Sequence, residues 1–178
     1  MVTIFIGGIH GVGKTTVCEQ VAVATGIQFY TASQLIKQEK ASAINSQSKN
    51  VEDIVGNQKL LVRAATRIAT ANQHFLLDGH FTIRNALGAP EPIAIDVFKD
   101  LNIIGAVLLL DDPSVIFERT ASRDVSTYTQ QSIELHQQLE LAHAKHVTAA
   151  LGISFLEINC AADSVSYKPI VQFIRSFG

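Results

Sequence analysis

The stretch Gly8-Ile9-His10-Gly11-Val12-Gly13-Lys14-Thr15 follows an apolar run, residues 2–6, and leads into an apolar-periodic segment that begins at Thr16. It fits the pattern G-x-x-x-x-G-K-[ST] of a phosphate-binding loop, in the strand-then-helix context that this loop requires. Its glycines let consecutive backbone N–H groups turn around an anion without a Cβ clash, and the following helix adds its positive N-terminal end. The stretch therefore predicts a nucleotide site between the first strand and the first helix.

The polar residues of this loop have distinct chemical roles in the prediction. Lys14 is expected to reach the β- and γ-phosphates of ATP, and the Thr15 hydroxyl to bind Mg²⁺. The alternative is a glycine-rich turn that contains Lys-Thr by chance, which the flanking strand and helix patterns disfavour. The expected nucleotide contacts in this stretch are Gly8, His10, Gly11, Val12, Gly13, Lys14, Thr15 and Thr16.

Composition favours a compact protein that acts on small molecules. The chain has 178 residues, of which 47% are hydrophobic and 17% charged, with a formal net charge of −2. That charge gives no broad electrostatic reason to bind nucleic acid or an anionic membrane. No apolar run approaches the roughly 20 residues of a membrane helix, and Met1 leads straight into the first strand. We expect a cytoplasmic protein with a small-molecule partner, and a protein partner is the alternative.

Strand-like and helix-like segments alternate along the whole chain. This order predicts an α/β fold, a three-layer α/β/α sandwich around a central parallel sheet of about five strands, as one domain over residues 1–178. A polar stretch at residues 40–50 predicts a mobile loop, within a flexible acceptor-side insertion at about 38–60. A loop is expected at 81–92 and a short lid at about 119–131. The predicted strands are 2–6, 27–30, 74–78, 103–110 and 153–158, and the predicted helices 14–25, 31–38, 51–72 with a break near Gly56-Asn57, 93–100, 113–123, 130–152 and 164–177.

Two acidic positions follow apolar strands, where a second Mg²⁺ ligand is expected. Asp78 ends the third strand, and Asp111-Asp112 ends the fourth. We favour Asp78, because Asp112 precedes a proline in the manner of a helix cap and Asp111 can be simply solvated. His80, two residues beyond Asp78, is either an acceptor contact or a structural residue of the turn.

Phosphoryl transfer also requires cations around the moving charge. Arg119 and Arg123 lie four residues apart on one predicted helix, just before a polar turn, so we expect them to act on the transferred group. A pair of solvated arginines is the alternative. The candidates for gripping a second anion are Lys37, Arg63, Arg67 and Arg84. Arg84 is the strongest of them, because it follows Asp78 in the predicted acceptor loop.

The residues after the second predicted strand bear on the chemistry of the acceptor. A hydroxyl acceptor needs a base, but residues 30–34 after the second strand contain no carboxylate. A phosphate acceptor needs only positioning, so a nucleotide acceptor is favoured, although Asp78 can still serve as a base. His136, His143 and His146 share one long helix and are interpreted as a mostly solvated face rather than a metal site.

These residues resemble the adenylate kinase group of nucleoside monophosphate kinases, particularly the compact archaeal type. The likeness rests on the phosphate loop, Thr31 with Lys37, residues 57–61, Leu77-Asp78-Gly79-His80, Arg119 with Arg123-Asp124, residues 133–136 and residues 156–159. It implies that Thr31, Lys37 and Arg84 border the monophosphate, with His80 nearby. It also implies that Arg119 and Arg123 act on the phosphoryl group and that the backbone around Asn159 and Ala161 borders the adenine.

Two positions depart from the family pattern. Lys37 stands where an arginine usually grips the acceptor phosphate, and lysine lacks the bidentate fork. Leu139-Glu140-Leu141 surrounds the place where an additional arginine is expected after the lid. The leading hypothesis is a Mg²⁺- and ATP-dependent kinase for a nucleoside monophosphate in which Lys14, Asp78, Arg119 and Arg123 are catalytic. A kinase for another small metabolite, or a nucleotide-switched accessory ATPase with a protein partner, is the alternative.

Overall fold

A parallel sheet of five strands lies at the centre of the computed structural model, which describes residues 2–44, 54–71, 74–85, 88–122, 128–160 and 167–177. The strands are β1 (Val2–Gly7), β2 (Gln28–Thr31), β3 (His74–Asp78), β4 (Thr82–Arg84), β5 (Pro90–Pro92), β6 (Ile103–Leu110) and β7 (Ser154–Asn159). The helices are α1 (Lys14–Thr25), α2 (Ala32–Ile44), α3 (Ile54–Ala71), α4 (Ile95–Asp100), α5 (Pro113–Ala121), α6 (Gln130–Leu151) and α7 (Lys168–Arg175). The order across the sheet is β2-β3-β1-β6-β7, so the first strand, with its loop, is central.

Helices cover both faces of this sheet. Successive residues of β1 alternate between two hydrophobic clusters: Ile4 and Ile6 pack with α1, α5 and α7, while Phe5 packs with α2, α3, α4 and the second half of α6. Both kinds of position are apolar because a parallel sheet with helices on each side has no solvent-facing surface. The predicted three-layer α/β/α fold with five parallel strands is confirmed.

The segment after β3 differs from its prediction. We expected a loop at residues 81–92, but β4 and β5 form an antiparallel hairpin in which Ile83 pairs with Glu91. The short strands and two prolines concealed it, since each strand has only three residues. The hairpin carries Arg84, which lines a cavity together with Ile9, just after β1.

Helices α2 and α3 differ from their predictions. Helix α2 continues to Ile44 instead of ending at Gln38, and α3 runs without the predicted break at Gly56. Residues 45–53, the centre of the predicted flexible insertion, lie outside the described residues. Part of the predicted lid, residues 123–127, lies outside them as well.

The end of α5 and the start of α6 lie on either side of residues 123–127. Asp112 caps α5 as predicted, with its side chain accepting a hydrogen bond from the Ser114 N–H. Thr129 caps α6 through a reciprocal pair with Ser132. Among the described helices, none combines the length and the apolar character that crossing a membrane requires.

Candidate active site

The phosphate loop connects β1 to α1 through three glycines with positive φ. Gly8, Gly11 and Gly13 have φ values of 144°, 86° and 101°. A Cβ on Gly8 would lie 2.8 Å from the Leu109 carbonyl oxygen, and one on Gly11 would lie 2.6 Å from the Thr120 side chain. Glycine at the first two positions therefore allows both the positive φ and the close packing of the loop.

Lys14 lies in the curve of this loop and is only 8% exposed. Its Nζ donates hydrogen bonds to the carbonyl oxygens of Gly8 at 2.8 Å and Ile9 at 3.2 Å. The same Nζ is 3.9 Å from Oδ1 of Asp78. Burial lowers the pKa of Lys14, while Asp78 and then Glu140 oppose that change. Its position suits a cation that meets phosphate oxygens at the end of β1.

Thr15 and Asp78 lie side by side, as the sequence predicts. Asp78 ends β3, where it aligns with Ile6 of β1, so parallel strands bring its carboxylate to the phosphate loop. The Thr15 hydroxyl donates to Oδ2 of Asp78 at 3.0 Å. Burial raises the pKa of Asp78, and Lys14 and the Thr15 hydrogen bond oppose the rise. A hydroxyl and a carboxylate at this edge are the hard oxygen donors that suit Mg²⁺.

One cleft of about 640 Å³ collects most of the predicted site residues. Thr31 at the end of β2, Ser33 at the start of α2 and His80 after β3 line it. His80 is hydrogen-bonded to the Gly8 backbone, and burial, with Lys14 second, lowers its pKa. The remaining lining residues are His10, Gly11, Val12, Gly13, Lys14, Thr15, Thr16, Val17, Gln20, Ala32, Asp78, Gly79 and Arg119.

Arg119 reaches this cleft from α5 while paired with a carboxylate behind it. Its Nη1 lies 2.7 Å from Oδ2 of Asp111. Asp111 is buried, so the possibility that it is simply solvated is ruled out, and Gln137 of α6 bonds to both its backbone N–H and its carbonyl. Asp111 is buried because it follows a buried strand, and its carboxylate orients Arg119, which remains partly exposed.

A smaller cavity of about 170 Å³ adjoins the cleft, and His10 and His80 line both spaces. The guanidinium of Arg84 lies 4.1 Å from the centre of the Tyr128 ring, a cation–π contact, and donates to the Gly88 carbonyl at 3.2 Å. The other lining residues are Ile9, Thr82, Ile83, Thr120, Ile133 and His136. Arg84 is the charged residue of this lining, so the cavity favours an anion.

The histidines of α6 do not form a solvated face, so that interpretation was wrong. His136 is 6% exposed, and its Nε2 lies 3.0 Å from the Thr82 hydroxyl. His143 Nε2 lies 2.6 Å from the Ile93 carbonyl oxygen. His146 alone of the three is exposed. The error arose because histidine is polar, whereas here the hairpin β4–β5 supplies hydrogen-bond partners to the helix.

Glu140 is the residue that the sequence reasoning missed. It is fully buried, and its Oε1 accepts from the N–H groups of Gly8 at 3.2 Å and Phe81 at 2.8 Å. Its Oε2 accepts from the N–H of Thr82 at 2.6 Å and from the Thr82 hydroxyl at 2.5 Å. Burial raises its pKa, and these hydrogen bonds, with the charge of Lys14, oppose the rise.

A sequence signal for Glu140 exists in the helical period. It falls in register with the buried positions Ile133, Gln137, Ala144 and Val147 of α6. An acid on the apolar stripe of a helix must find hydrogen-bond donors, because an unpaired buried charge is very costly. Glu140 thus ties α6 to the start of the phosphate loop and to the hairpin.

Some predicted site residues lie elsewhere. Lys37 is exposed on α2 and lines neither of the two spaces. Asn159 is exposed at the end of β7 and lines neither of them. Arg123 and Ala161 lie outside the described residues, so their predicted roles stay predictions.

Comparison with known proteins follows the same motifs. A family model described as an AAA domain matches residues 7–136, which include the phosphate loop, Asp78 and Arg119. An adenylate kinase of Pyrococcus abyssi is 29% identical over 164 residues, covering 84% of this chain and 84% of that protein. An adenylate kinase of Thermoplasma acidophilum is 27% identical over 152 residues, covering 78% and 79%.

A solved structure agrees with this grouping at the level of fold. Shikimate kinase from Acinetobacter baumannii in complex with shikimate superposes with a TM-score of 0.57 and 17% identity, covering 99% of this chain and 92% of that chain. At this identity the likeness concerns the fold alone. Because the family model matches well over half of the sequence, the chain belongs to the AAA domain family.

Proposed function

We propose that this protein is a Mg²⁺-dependent kinase that transfers the γ-phosphoryl group of ATP to the phosphate of a nucleoside monophosphate. The observation that carries the proposal is the cleft along the phosphate loop, where Lys14, Arg119 and Asp78 line the same space. Two cations and a carboxylate beside inward-turning N–H groups suit a polyphosphate with a metal ion. They also neutralise charge that moves during phosphoryl transfer.

The class of acceptor follows from the carboxylates near the cleft. Among the described residues of its lining, Asp78 is the one carboxylate, and it already accepts from Thr15 and faces Lys14. Glu39, the first acid after β2, is buried and paired with Arg67 at 2.7 Å. A hydroxyl acceptor would need Asp78 as its base, although Thr15 and Lys14 already engage that carboxylate. A phosphate acceptor needs no base, because it is already an anionic nucleophile.

In the proposed reaction, an oxygen of the acceptor phosphate attacks the γ-phosphorus in line. The bond between that phosphorus and the β–γ bridging oxygen breaks, and ADP leaves with the electron pair while the acceptor becomes a diphosphate. Lys14 and the loop N–H groups hold the donor phosphates, and Arg119 compensates charge on the transferred group. Asp111 orients Arg119 through their 2.7 Å ion pair.

Thr15 and Asp78 would hold the metal ion through their hydroxyl and carboxylate oxygens. When bound, Mg²⁺ neutralises phosphate oxygens and orients the donor. Thr31 at the cleft and Arg84 at the adjoining cavity are candidates for acceptor contacts. The two adenylate kinases support a nucleotide acceptor, because the similarity extends over most of both chains.

A kinase for an alcohol-bearing metabolite is the second candidate, and one observation favours it. Burial raises the pKa of Asp78, with Lys14 and Thr15 opposing. A carboxylate with a raised pKa is a better general base for a hydroxyl proton than an ordinary one. Asp78 would then be a base as well as a neighbour of the metal ion.

A coupled assay with Mg²⁺-ATP and a panel of acceptors tests the proposal. The panel contains the common nucleoside monophosphates and small alcohols, each compared with the rate of ATP hydrolysis without acceptor. We expect turnover with at least one monophosphate well above that rate. Turnover with alcohols alone would establish the second candidate, and no turnover above hydrolysis would refute both and favour a nucleotide-switched ATPase.

Asp78→Asn separates the two roles of this residue. As a metal ligand only, the variant needs more Mg²⁺, and saturating metal restores much of the transfer rate. As a general base, it loses transfer by roughly 10²-fold or more at any metal concentration. The matched control is Asp100→Asn at an exposed position of α4, which should leave the Mg²⁺ dependence of the rate unchanged.

A further inference from the structure

The cavity beside the phosphate loop suits an anion, and titratable histidine side chains line it together with an arginine. Arg84 enters it from β4, and His136 enters it from α6. The described lining contains no carboxylate. At about 30 Å³ per water, its 170 Å³ corresponds to on the order of five waters, enough for a phosphate group with the atoms next to it. A whole nucleoside monophosphate would have to extend into the cleft.

The hydrogen bonds behind this cavity fix the tautomer of His136. Glu140 receives four donors, three N–H groups and the Thr82 hydroxyl, which fill the four acceptor sites of an ionised carboxylate. The single hydroxyl proton of Thr82 is thereby used, so its oxygen accepts from Nε2–H of His136 at 3.0 Å. Nδ1 of His136 is then the ring nitrogen that can take up a proton.

Charges on several elements surround His136. Burial, then Arg84, then Lys14 lower its pKa to about 4, so the imidazole is neutral near pH 7 when the cavity holds no anion. A phosphate dianion beside Arg84 would reverse the electrostatic part of this effect, because it attracts the proton that Arg84 and Lys14 repel. The titratable and charged groups around His136 are Arg84 of β4, Lys14 of α1, His80 after β3, His10 of the loop, Tyr128 before α6, and Glu140 of α6 itself.

We propose that this cavity binds the phosphate group of the acceptor between Arg84 and a protonated His136, so that acceptor binding takes up a proton. The inference rests on the proposed function and names a specificity-determining residue for it. His136 would donate one charge-assisted hydrogen bond to the phosphate, in addition to the contact made by Arg84. A neutral nucleoside would not induce this protonation.

If the bound phosphate holds His136 protonated, the pKa of His136 in the complex lies above the value of about 4 that burial, Arg84 and Lys14 give it in the empty cavity. Binding energy from protonated His136 is fully present below its pKa in the complex and is lost as the pH rises through that value. The phosphate contributes the opposite trend, since its own second pKa near 6 makes it a stronger anion at higher pH. Replacing His136 removes the first trend and leaves the second.

Isothermal titration calorimetry measures the proton directly. The protein is first saturated with Mg²⁺ and a non-hydrolysable ATP analogue, and AMP is then titrated at pH 7.0 in two buffers of different ionisation enthalpy. We expect proton uptake on AMP binding by the wild-type chain and none with adenosine. Inorganic phosphate as titrant shows whether the phosphate group alone is sufficient.

His136→Gln provides the matched comparison, because glutamine retains an N–H donor toward Thr82. We expect AMP binding to weaken roughly tenfold or more at pH 6.5 and the proton uptake to disappear. His146→Gln, an exposed histidine of the same helix, should leave both unchanged. A wild-type titration without proton uptake, or equal uptake in the His136 variant, would overturn the inference.

The outcome separates this inference from the proposed function. Turnover with a monophosphate but no proton uptake would leave the kinase proposal standing and remove His136 from it. Proton uptake without any turnover would keep the anion site and contradict the kinase. Because the uptake is measured first on the wild-type chain, the test does not depend on whether the variant folds.

Discussion

The site has a proposed donor half in the cleft and a proposed acceptor half in the adjoining cavity, and the two halves are built in different ways. On the donor side, Lys14 and Thr15 come from one continuous stretch, Asp78 is added from a neighbouring strand, and Arg119 is added from α5. On the acceptor side, Arg84 and His136 lie 52 positions apart and meet through a hairpin and a long helix. The donor half is a local motif, whereas the acceptor half exists only in the folded chain.

Glu140 connects the two halves. Its Oε1 accepts from Gly8 at the start of the phosphate loop, and its Oε2 accepts from Thr82 at the start of the hairpin. One buried carboxylate therefore joins the hairpin to the loop. The halves differ in origin but share a hydrogen-bonded anchor, and variants on each side and at the anchor can separate their contributions.

Lys14→Ala should have the largest effect, because it removes the cation nearest the donor phosphates. We expect kcat/KM for ATP-dependent transfer to fall by on the order of 10³-fold. The coupled assay measures it, with Lys99→Ala at an exposed position of α4 as control. Retained activity in a Lys14→Ala protein that melts normally would exclude the loop from the mechanism.

Glu140→Ala should have the next largest effect, on stability. The substitution leaves three buried N–H groups without their acceptor, so the free energy of unfolding should fall by about 3–5 kcal/mol. Chemical denaturation followed by circular dichroism measures this loss. Glu134→Ala, an exposed acid on the same helix, should change it by less than about 0.5 kcal/mol. Equal stability of the two variants would mean that the halves are not anchored through Glu140.

The sequence predicted the donor half because its signals are contiguous. The glycine pattern, the apolar strand and the helix period specify a phosphate loop within a few residues of each other, and the neighbouring strand brings Asp78 to it. The five-stranded sheet followed from the same alternation of segments. Asp112 was recognised as a cap because capping is also local.

The acceptor half was predicted less well because its meaning depends on tertiary contacts. His136 is polar, and only the Thr82 hydroxyl opposite explains its burial. Solvation of Asp111 was left open because its partner Arg119 lies eight residues later, two turns into α5. The hairpin strands of three residues each are too short to show a period. The roles of these residues depend on burial and on pairing between distant positions, which local sequence patterns do not reveal.

The smallest effect should come from replacing Lys37, and the matching change in the acceptor half is the replacement of Arg84. Resemblance assigned both Lys37 and Arg84 to the acceptor phosphate, but Arg84 lines the cavity while Lys37 is exposed on α2. Arg84→Ala should raise the acceptor KM roughly tenfold with little change in kcat, since it removes a charge-assisted contact made in the ground state.

Lys37→Ala should raise the same KM by less than about threefold, because an exposed, flexible ammonium contributes little in water. Steady-state kinetics at saturating ATP measure both variants, and Lys40→Ala on the same helix is the control for a general change in surface charge. A large KM effect of Lys37 with a normal kcat would mean that α2 approaches the acceptor when it binds. The acceptor half would then close over its ligand through α2, whereas the donor half already has its groups in place.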